Sequence, residues 1–228
     1  MNWRTQCLHA AGVLAALSFS SAPALAATED SSGFYLGVSG GTAKYDVEQE
    51  DLDDAFVFGF EQNGLFVLDG ESSFDEKDTS FNFFAGYRFS PYFSLEATYV
   101  DLGSADYKGS VTATDFVDVF DVEGGASVEA KGPAVSLIGA IPFSEAVELY
   151  GRAGIFFADT TLSVDIESIH EELSGSSEDL TYGVGFAWNV NPAWTTRVEF
   201  QRFADVGDED KTGESNIDQY SLSLLYRF

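Results

Sequence analysis

The side chains that most often carry out chemistry are scarce in this sequence. Its 228 residues include one cysteine, Cys7, and two histidines, His9 and His170. This count excludes disulfide scaffolds, cysteine-based zinc sites and sites built from several histidines. Hydrolases in which a serine or aspartate works with a histidine need a suitably placed histidine, and His170, in the acidic run 167–172, has no partner motif. We therefore predict that the protein is not an enzyme and that His170 is a solvated residue.

An acidic turn near the end of the chain is the best candidate for a metal site. The run 208–213 (DEDKTG) alternates oxygen ligands before a glycine, as the start of a calcium loop does, and its ligands would be Asp208 and Asp210. The position of the usual bidentate glutamate holds Gln219, and no helix-forming segments flank the run. The better interpretation is an acidic turn. We predict no bound cofactor, and at most diffuse binding of Ca²⁺ or Mg²⁺ by the acidic segments.

Several charged residues stand in segments that are otherwise almost free of charge. These charged residues lie on the face opposite the bulky apolar side chains: Arg88, Glu96, Arg152, Arg197 and Glu199. Glu148 and Gln201 lie on the same face, near the ends of their segments. Charges buried in a protein persist only when they are paired, so these residues predict a nearly neutral internal network. The network has two interpretations, a gated path for ions or a polar plug that holds the fold together, and we favour the plug.

The segments that carry these residues are predicted strands. In eight of them, including Phe34–Gly40 and Tyr92–Tyr99, apolar residues alternate with small or polar ones at a period of two, and none has a helical period. Short connections containing proline alternate with four segments, 46–79, 101–131, 159–179 and 205–218, that hold 32 of the 38 acidic residues. The pattern predicts an all-β fold, an eight-stranded antiparallel up-and-down transmembrane β-barrel with short periplasmic turns and four long acidic extracellular loops.

The bulky face of these strands is predicted to contact lipid. Eight strands enclose too little space for their many Phe, Tyr and Trp side chains, whereas the small opposite face fits inside. Aromatic residues near the short turns form one predicted belt: Phe34, Tyr87, Phe89, Tyr92, Phe93, Trp188, Trp194, Tyr226 and Phe228. Those near the long loops form the other: Tyr45, Phe81, Tyr99, Phe157, Tyr182, Phe203 and Tyr220. The alternative for these aromatic residues is the core of a β-sandwich.

The N-terminal residues read as an export signal. Arg4 precedes the apolar stretch 10–19, and Ala24-Leu25-Ala26 is a small-residue cleavage site, so residues 1–26 are predicted to be a cleaved signal peptide and 27–228 the barrel domain. The formal net charge is −27, which excludes nucleic acid as a partner because phosphates require a basic surface.

Parts of the acidic segments are predicted to form further strands. Ala55–Phe60 and Leu65–Leu68 flank Gln62-Asn63-Gly64, a strong hairpin signal, and the segment from Val111 to Val122 alternates. Strands that protrude beyond the membrane could bind an extracellular protein that adds a strand of its own.

Four stretches of the sequence resemble the OmpA-type and OmpX-like family of eight-stranded outer-membrane β-barrels. They are 91–103, Leu149–Gly154, Asn191–Gln201 and Tyr220–Phe228, the last ending in Tyr-Arg-Phe. The resemblance implies that Phe228 is a terminal aromatic signal read by the barrel-assembly machinery. The chain stops at Phe228, so we do not expect the peptidoglycan-binding domain of the family. Ile138 stands where the family pattern has an interior lysine, which argues against a gating network that depends on that lysine.

These observations predict a protein of the cell outer membrane with a side-chain-filled interior and a structural or adhesive role at the surface. Its surroundings would be outer-membrane lipid and lipopolysaccharide. The first alternative is a narrow porin or channel for small solutes, and the second is a soluble exported barrel that carries a ligand.

Overall fold

The structure, a computed structural model, describes residues 32–47, 49–62, 65–114, 118–166, 169–208 and 212–228. The predicted signal peptide, the Asn63-Gly64 turn and Asp210 lie outside these ranges. The described elements are β1 (Gly33–Tyr45), α1 (Gln49–Gln62), β2 (Phe66–Asp75), β3 (Lys77–Ser90), β4 (Phe93–Thr114), β5 (Val119–Pro142), β6 (Val147–Ile166), β7 (Ile169–Asn189), β8 (Trp194–Asp208) and β9 (Gly213–Arg227). In this part of the chain, no helix is long and apolar enough to cross a membrane.

One antiparallel sheet joins the nine strands of the described residues and closes into a ring. The strand order is β2-β4-β3-β1-β9-β8-β7-β6-β5, and β4 also pairs with β5. The short strand β2 pairs with the part of β4 that is farther from the short turns, whereas β3 pairs with the part that is nearer to them. β2 therefore lies beyond the barrel wall, which the other eight strands form. The predicted eight-stranded antiparallel barrel is confirmed. Three of its turns are short, as predicted, and each joins strands at the end that also holds the start of β1.

The two faces of the wall differ as the alternation predicts. On β3, Phe81, Phe83 and Phe89 point outward and are about half exposed, whereas Asn82, Phe84 and Arg88 are buried inside. On β9, Leu222 and Leu224 point outward while Ser221 and Ser223 are buried. A barrel whose outer band is apolar and whose interior is largely polar is the arrangement required by a bilayer.

The long acidic segments contain more regular structure than predicted. β4 and β5 pair from Ser104↔Glu129 as far as Thr114↔Val119, and β6 and β7 pair as far as Ile166↔Ile169. With β2 they form a five-stranded outer sheet, which comprises residues 66–75, 104–114, 119–129, 159–166 and 169–179. Long hairpins satisfy their backbone hydrogen bonds without membrane or solvent, so these segments need not be irregular loops.

The predicted hairpin around Gln62-Asn63-Gly64 is wrong on its first arm, because Gln49–Gln62 is helical. Leu52, Phe56 and Phe60 follow one another at intervals of four residues, which places them on one face of a helix. Phe56 and Phe60 pack edge to face with ring centres 5.1 Å apart. The alternation within Ala55–Phe60 predicts a strand. The helix forms instead because its apolar face, which carries Leu52, Phe56 and Phe60, packs onto the outer sheet.

Two aromatic residues assigned to the outer belt lie inside the barrel instead. Tyr45 and Phe203 are 1% and 0% exposed. They belong to an apolar layer across the outer end of the barrel, here called the outer apolar layer: Ala43, Tyr45, Val100, Leu102, Ala105, Ala130, Ala134, Phe156, Ala158, Phe203, Val206 and Ile217. In the period-two alternation of their strands, both residues are at positions whose side chains point inward. The prediction that they belong to the belt is wrong because it considered only that they are aromatic.

A bulge in β4 holds the tyrosine of this layer in place. The register of β4 against β5 shifts between Asp101 and Ser104, and Gly103 has a φ of +68°, a conformation that favours glycine. The carbonyl of Gly103 accepts a hydrogen bond of 2.8 Å from the Tyr45 hydroxyl. The polar atom of Tyr45 is thus satisfied while its ring fills the apolar layer.

The helix α1 is attached to the outer sheet through an aromatic and a polar contact. The Phe56 ring packs edge to face on Tyr107, with ring centres 5.9 Å apart, and a side chain at Gly109 or Gly124 would collide with it. The Tyr107 hydroxyl donates a hydrogen bond of 2.7 Å to Asp53. Burial of the phenol and this bond to a carboxylate raise the pKa of Tyr107 to about 12, so Tyr107 is a neutral donor at physiological pH.

We expect Phe56→Ala to release α1 from the outer sheet without unfolding the barrel. Truncation of a buried phenylalanine costs about 3–5 kcal/mol in a full core, and less where the ring is only half-buried, as here. Limited proteolysis of the folded protein should therefore cleave the variant faster within residues 49–62. Phe58→Ala, on the exposed side of the helix, is the control, and equal cleavage of the two variants would contradict this packing.

Candidate functional site

The charged residues predicted to face inward lie inside the barrel, on the side of the outer apolar layer that faces the short turns. Alternation places each of them at an inward position on β3, β4, β6 or β8. All are at most 9% exposed: Arg88, Glu96, Glu148, Arg152, Arg197 and Glu199. Three arginines and three glutamates give this interior set no formal net charge.

Glu96 is the centre of the network. Its Oε1 pairs with Arg152, and its Oε2 accepts a hydrogen bond of 2.8 Å from Nη1 of Arg197 and one of 2.9 Å from the Tyr35 hydroxyl. These residues come from four different strands, and Glu96 is 1% exposed. The carboxylate therefore ties opposite parts of the wall together across the lumen.

A second carboxylate holds the other side of Arg152. Glu199 Oε1 accepts a hydrogen bond of 2.8 Å from Nη1 of Arg152, and Glu199 Oε2 accepts one of 2.5 Å from the Tyr150 hydroxyl. The same Nη1 lies 3.2 Å from Oε1 of Gln201. Arg152 thus bridges two glutamates, and such charge-assisted bonds are the stronger kind.

Arg197 also packs against aromatic rings. Its guanidinium carbon lies 5.3 Å from the ring centre of Tyr35, 5.6 Å from that of Phe84 and 5.2 Å from that of Tyr150. Cation–π contacts within about 6 Å stabilise a desolvated arginine. The rings and Glu96 together fill the middle of the lumen.

A separate pair closes the end near the short turns. Arg88 and Glu148 form two hydrogen bonds, of 3.1 and 2.6 Å, and Arg88 also donates to the carbonyls of Ser90 and Pro91. Arg227 donates to Asn189 at 2.9 Å and lies 3.8 Å from Glu148. The two carbonyls that accept from Arg88 belong to the turn between β3 and β4, so they hold the Arg88–Glu148 pair at this first short turn.

Neutral polar side chains lie between the charged network and the outer apolar layer. Asn82 donates to Ser39 at 2.9 Å and to Gln219 at 3.1 Å, and Gln201 donates to Thr181 at 2.6 Å. Above them, Phe156 and Phe203 pack edge to face 4.9 Å apart. An ion moving along the lumen would have to separate paired charges and then cross apolar side chains, so this arrangement is suited to closing the barrel.

Tyr35 and Tyr150 are not among the predicted interior residues, although the alternation of the sequence places both on the small, polar face of their strands. A tyrosine that stands among glycines and serines on that face is the one feature of the sequence that indicates an interior role for these two residues. Arg202, by contrast, points outward and makes a bidentate pair with Asp218 at 2.6 Å. Ile138 lies inward, 3% exposed, against Tyr150 and Ala187.

The other candidates lie apart from this network. The backbone carbonyl of Asp208, at the end of β8, accepts a hydrogen bond from the N–H of Thr212, and the N–H of Asp208 donates to the Thr212 hydroxyl. Asp210 is outside the described residues. No group of three or more His, Cys, Asp or Glu side chains in the described ranges could hold a metal ion. His170 is exposed, and its Nδ1 lies 2.5 Å from Asp165, whose carboxylate raises the pKa of His170. Phe228 is 76% exposed, and its N–H donates to the Phe34 carbonyl.

Comparison with known sequences gives one consistent result. The profile of the OmpA-like transmembrane domain matches residues 29–228. Outer membrane protein A of Escherichia fergusonii is 27% identical over 164 residues, which are 71% of this chain and 43% of that protein. The same protein of Serratia marcescens is 26% identical over 210 residues, 90% of this chain and 52% of that protein. The chain thus spans about half the length of these relatives.

Solved structures of outer-membrane barrels also superimpose on the chain. Neisserial surface protein A has 15% identity and a TM-score of 0.48, over 86% of this chain and 97% of that one. Ail, the attachment invasion locus protein of Yersinia pestis, has 16% identity and a TM-score of 0.46, over the same shares.

Proposed function

Because this chain belongs to the family of OmpA-like transmembrane domains, and hence to the outer membrane, we propose that it is a surface protein with a structural or adhesive role. The barrel would anchor the outer sheet in the membrane and present it to the surroundings. We propose that the protein is not an enzyme, which membership in this family supports.

The observation that carries this proposal is the length of the outer strands. β4, β5, β6 and β7 are 20 to 24 residues long. A transmembrane strand needs about 9–11 residues, so roughly half of each strand extends beyond the bilayer. The extension is an ordered sheet with α1 packed on it. A folded element of this kind offers a defined surface for binding.

The filled interior supports this role over that of a narrow porin. Glu96 and Glu199 hold Arg152 and Arg197 across the lumen, and the outer apolar layer lies above them. We therefore propose the plug, rather than an ion path, as the role of the internal network.

The edges of the outer sheet suggest how a partner would bind. Among the described residues, β2 pairs only with β4, and residues 169–180 of β7 pair only with β6. An open strand edge can accept an extended segment of another protein. The β7 edge carries the exposed residues Glu171, Glu172 and Glu178, so we propose that the added strand is basic.

The remaining partners belong to the membrane. Outer-membrane lipid and lipopolysaccharide would surround the aromatic belts, and Phe228 would be read by the barrel-assembly machinery. The acidic surface would attract divalent cations diffusely rather than at a defined site.

Trimming the β4–β5 hairpin tests the adhesive role. In the variant, Asn-Gly replaces residues 107–126 and joins Asp106 to Ser127, which are paired where the outer sheet begins. Cells that display the wild-type protein should be retained on surfaces coated with a basic protein, and this retention should be lost with the variant. Retention is measured by washing displayed cells at controlled shear and counting those that remain.

The control is the folded amount of each protein in the outer membrane, read from the heat-dependent gel mobility of the barrel. A second control is Phe58→Ala, which changes an exposed residue of α1 and leaves the hairpin intact. Equal retention of wild type and trimmed variant at equal folded amounts would contradict an adhesive role for this sheet.

A further inference from the structure

An apolar cavity of about 270 Å³ lies directly above the outer apolar layer. Val47, Phe74 and Val128 pack on that layer and also line the cavity. Leu52 of α1 contributes to one side and Leu162 of β6 to another. Most of the remaining lining is apolar or aromatic: Tyr45, Ala105, Tyr107, Ala126, Ala130, Val206 and Ile217. The cavity therefore lies between the barrel, the helix and the outer sheet.

Four hydroxyl groups around this cavity already have partners within the protein. The hydroxyl of Tyr45 donates to Gly103 and that of Tyr107 donates to Asp53. The Thr160 hydroxyl contacts the Gly175 carbonyl at 3.3 Å and the Thr212 hydroxyl at 3.0 Å. A ligand with many polar groups would lose its bonds to water here and gain few in return.

Charge near the cavity restricts the ligand further. Glu214 lines the cavity, Asp53 bonds to one of its tyrosines, and no Lys or Arg is among the lining residues that the structure describes. The whole chain carries a net charge of −27. An anion would therefore meet a repulsive field on approach and find no cation to pair with among the described residues of the lining.

The size of the cavity suits a small molecule. Apolar cavities of about 150 Å³ in proteins stay dry and accept a ligand as small as benzene. Drug-sized ligands occupy pockets of about 300–1,000 Å³. We propose that this cavity binds a small, apolar molecule that carries no negative charge, delivered from the extracellular side.

Two probes with the same aromatic framework test this proposal. N-phenyl-1-naphthylamine is neutral, and 8-anilino-1-naphthalenesulfonate adds one sulfonate to it. The protein, with labelled methyl groups and embedded in lipid nanodiscs, is titrated with each probe. Intermolecular nuclear Overhauser effects then show which methyl groups the probe contacts, so that binding in the cavity is distinguished from partition into lipid.

The neutral probe is expected to contact the methyl groups of Val128, Leu162 and Ile217. The sulfonate should bind at these methyl groups at least about tenfold more weakly, because burial of an unpaired charge is costly. Contacts confined to outward methyl groups such as those of Val184 and Leu222 would overturn the proposal, since they report only partition into lipid. Equal binding of both probes in the cavity would overturn the exclusion of anions.

Filling the cavity provides a second, independent test. Val128→Phe adds an aromatic ring at the lining and should weaken binding of the neutral probe at least about tenfold. Val119→Phe makes the same change at an exposed position of β5 and should leave binding unchanged. Unchanged binding in a folded Val128→Phe variant would overturn the proposal. If that variant fails to fold, the contacts in the wild-type protein still decide it.

Discussion

Replacement of Glu96 by glutamine is expected to lower the free energy of unfolding of the barrel by about 3–5 kcal/mol. Glutamine has nearly the same shape but no charge, so Arg197 would lose its glutamate partner and Arg152 one of its two. Both guanidinium groups are buried, and an uncompensated buried charge is strongly destabilising. The measurement is equilibrium unfolding by urea of the protein in lipid vesicles, followed by tryptophan fluorescence.

Glu129→Gln is the matched control for Glu96→Gln. Glu129 pairs with Lys131 at 2.8 Å, but both side chains are about 40% exposed. An exposed pair contributes at most about 1 kcal/mol, so this variant should unfold close to the wild type. Equal unfolding midpoints for the two glutamate variants would contradict the internal network.

The second large effect is expected from Arg197→Ala compared with Arg202→Ala. The two arginines are on the same strand, five residues apart, but on opposite faces. Removal of Arg197 leaves a cavity between Tyr35 and Tyr150 and takes one cation from Glu96, with an expected cost of about 3–5 kcal/mol. Removal of Arg202 breaks a partly exposed pair with Asp218 and should cost about 1 kcal/mol or less.

Urea unfolding of the two arginine variants, under the conditions used for Glu96→Gln, measures this difference. The folded fraction before unfolding is read from gel mobility without heating, so that a failure to insert is not counted as instability. If Arg202→Ala proved as destabilising as Arg197→Ala, the assignment of inward and outward faces on β8 would be wrong.

The sequence predicted the barrel wall well because two simple patterns agree there. Alternation along each strand marks the lipid face, and strict alternation of short and long connections orders the strands. The same alternation is enough to place Glu96, Arg152 and Arg197 inward. Which arginine pairs with which glutamate could not be predicted, since it depends on how the closed ring brings β4, β6 and β8 together.

The outer parts were predicted less well because local patterns conflict there. Ala55–Phe60 fits a strand over six residues, but Leu52, Phe56 and Phe60 fit a helix over nine, and packing on Gly109 and Gly124 favours the helix. The aromatic character of Tyr45 and Phe203 predicts that they belong to a membrane belt, whereas the alternation along their strands predicts that their side chains point inward. No pattern in the sequence predicts the cavity, because the residues that line it come from segments that are far apart in the chain.

Recording of ionic current through the purified wild-type protein in planar lipid bilayers tests the central claim most directly. A barrel closed by paired charges and by the outer apolar layer should insert, as quantified by labelled protein in the bilayer, and give no stable conductance steps. Discrete, long-lived conductance steps whose number scales with the inserted protein would contradict a filled interior and would favour the narrow channel.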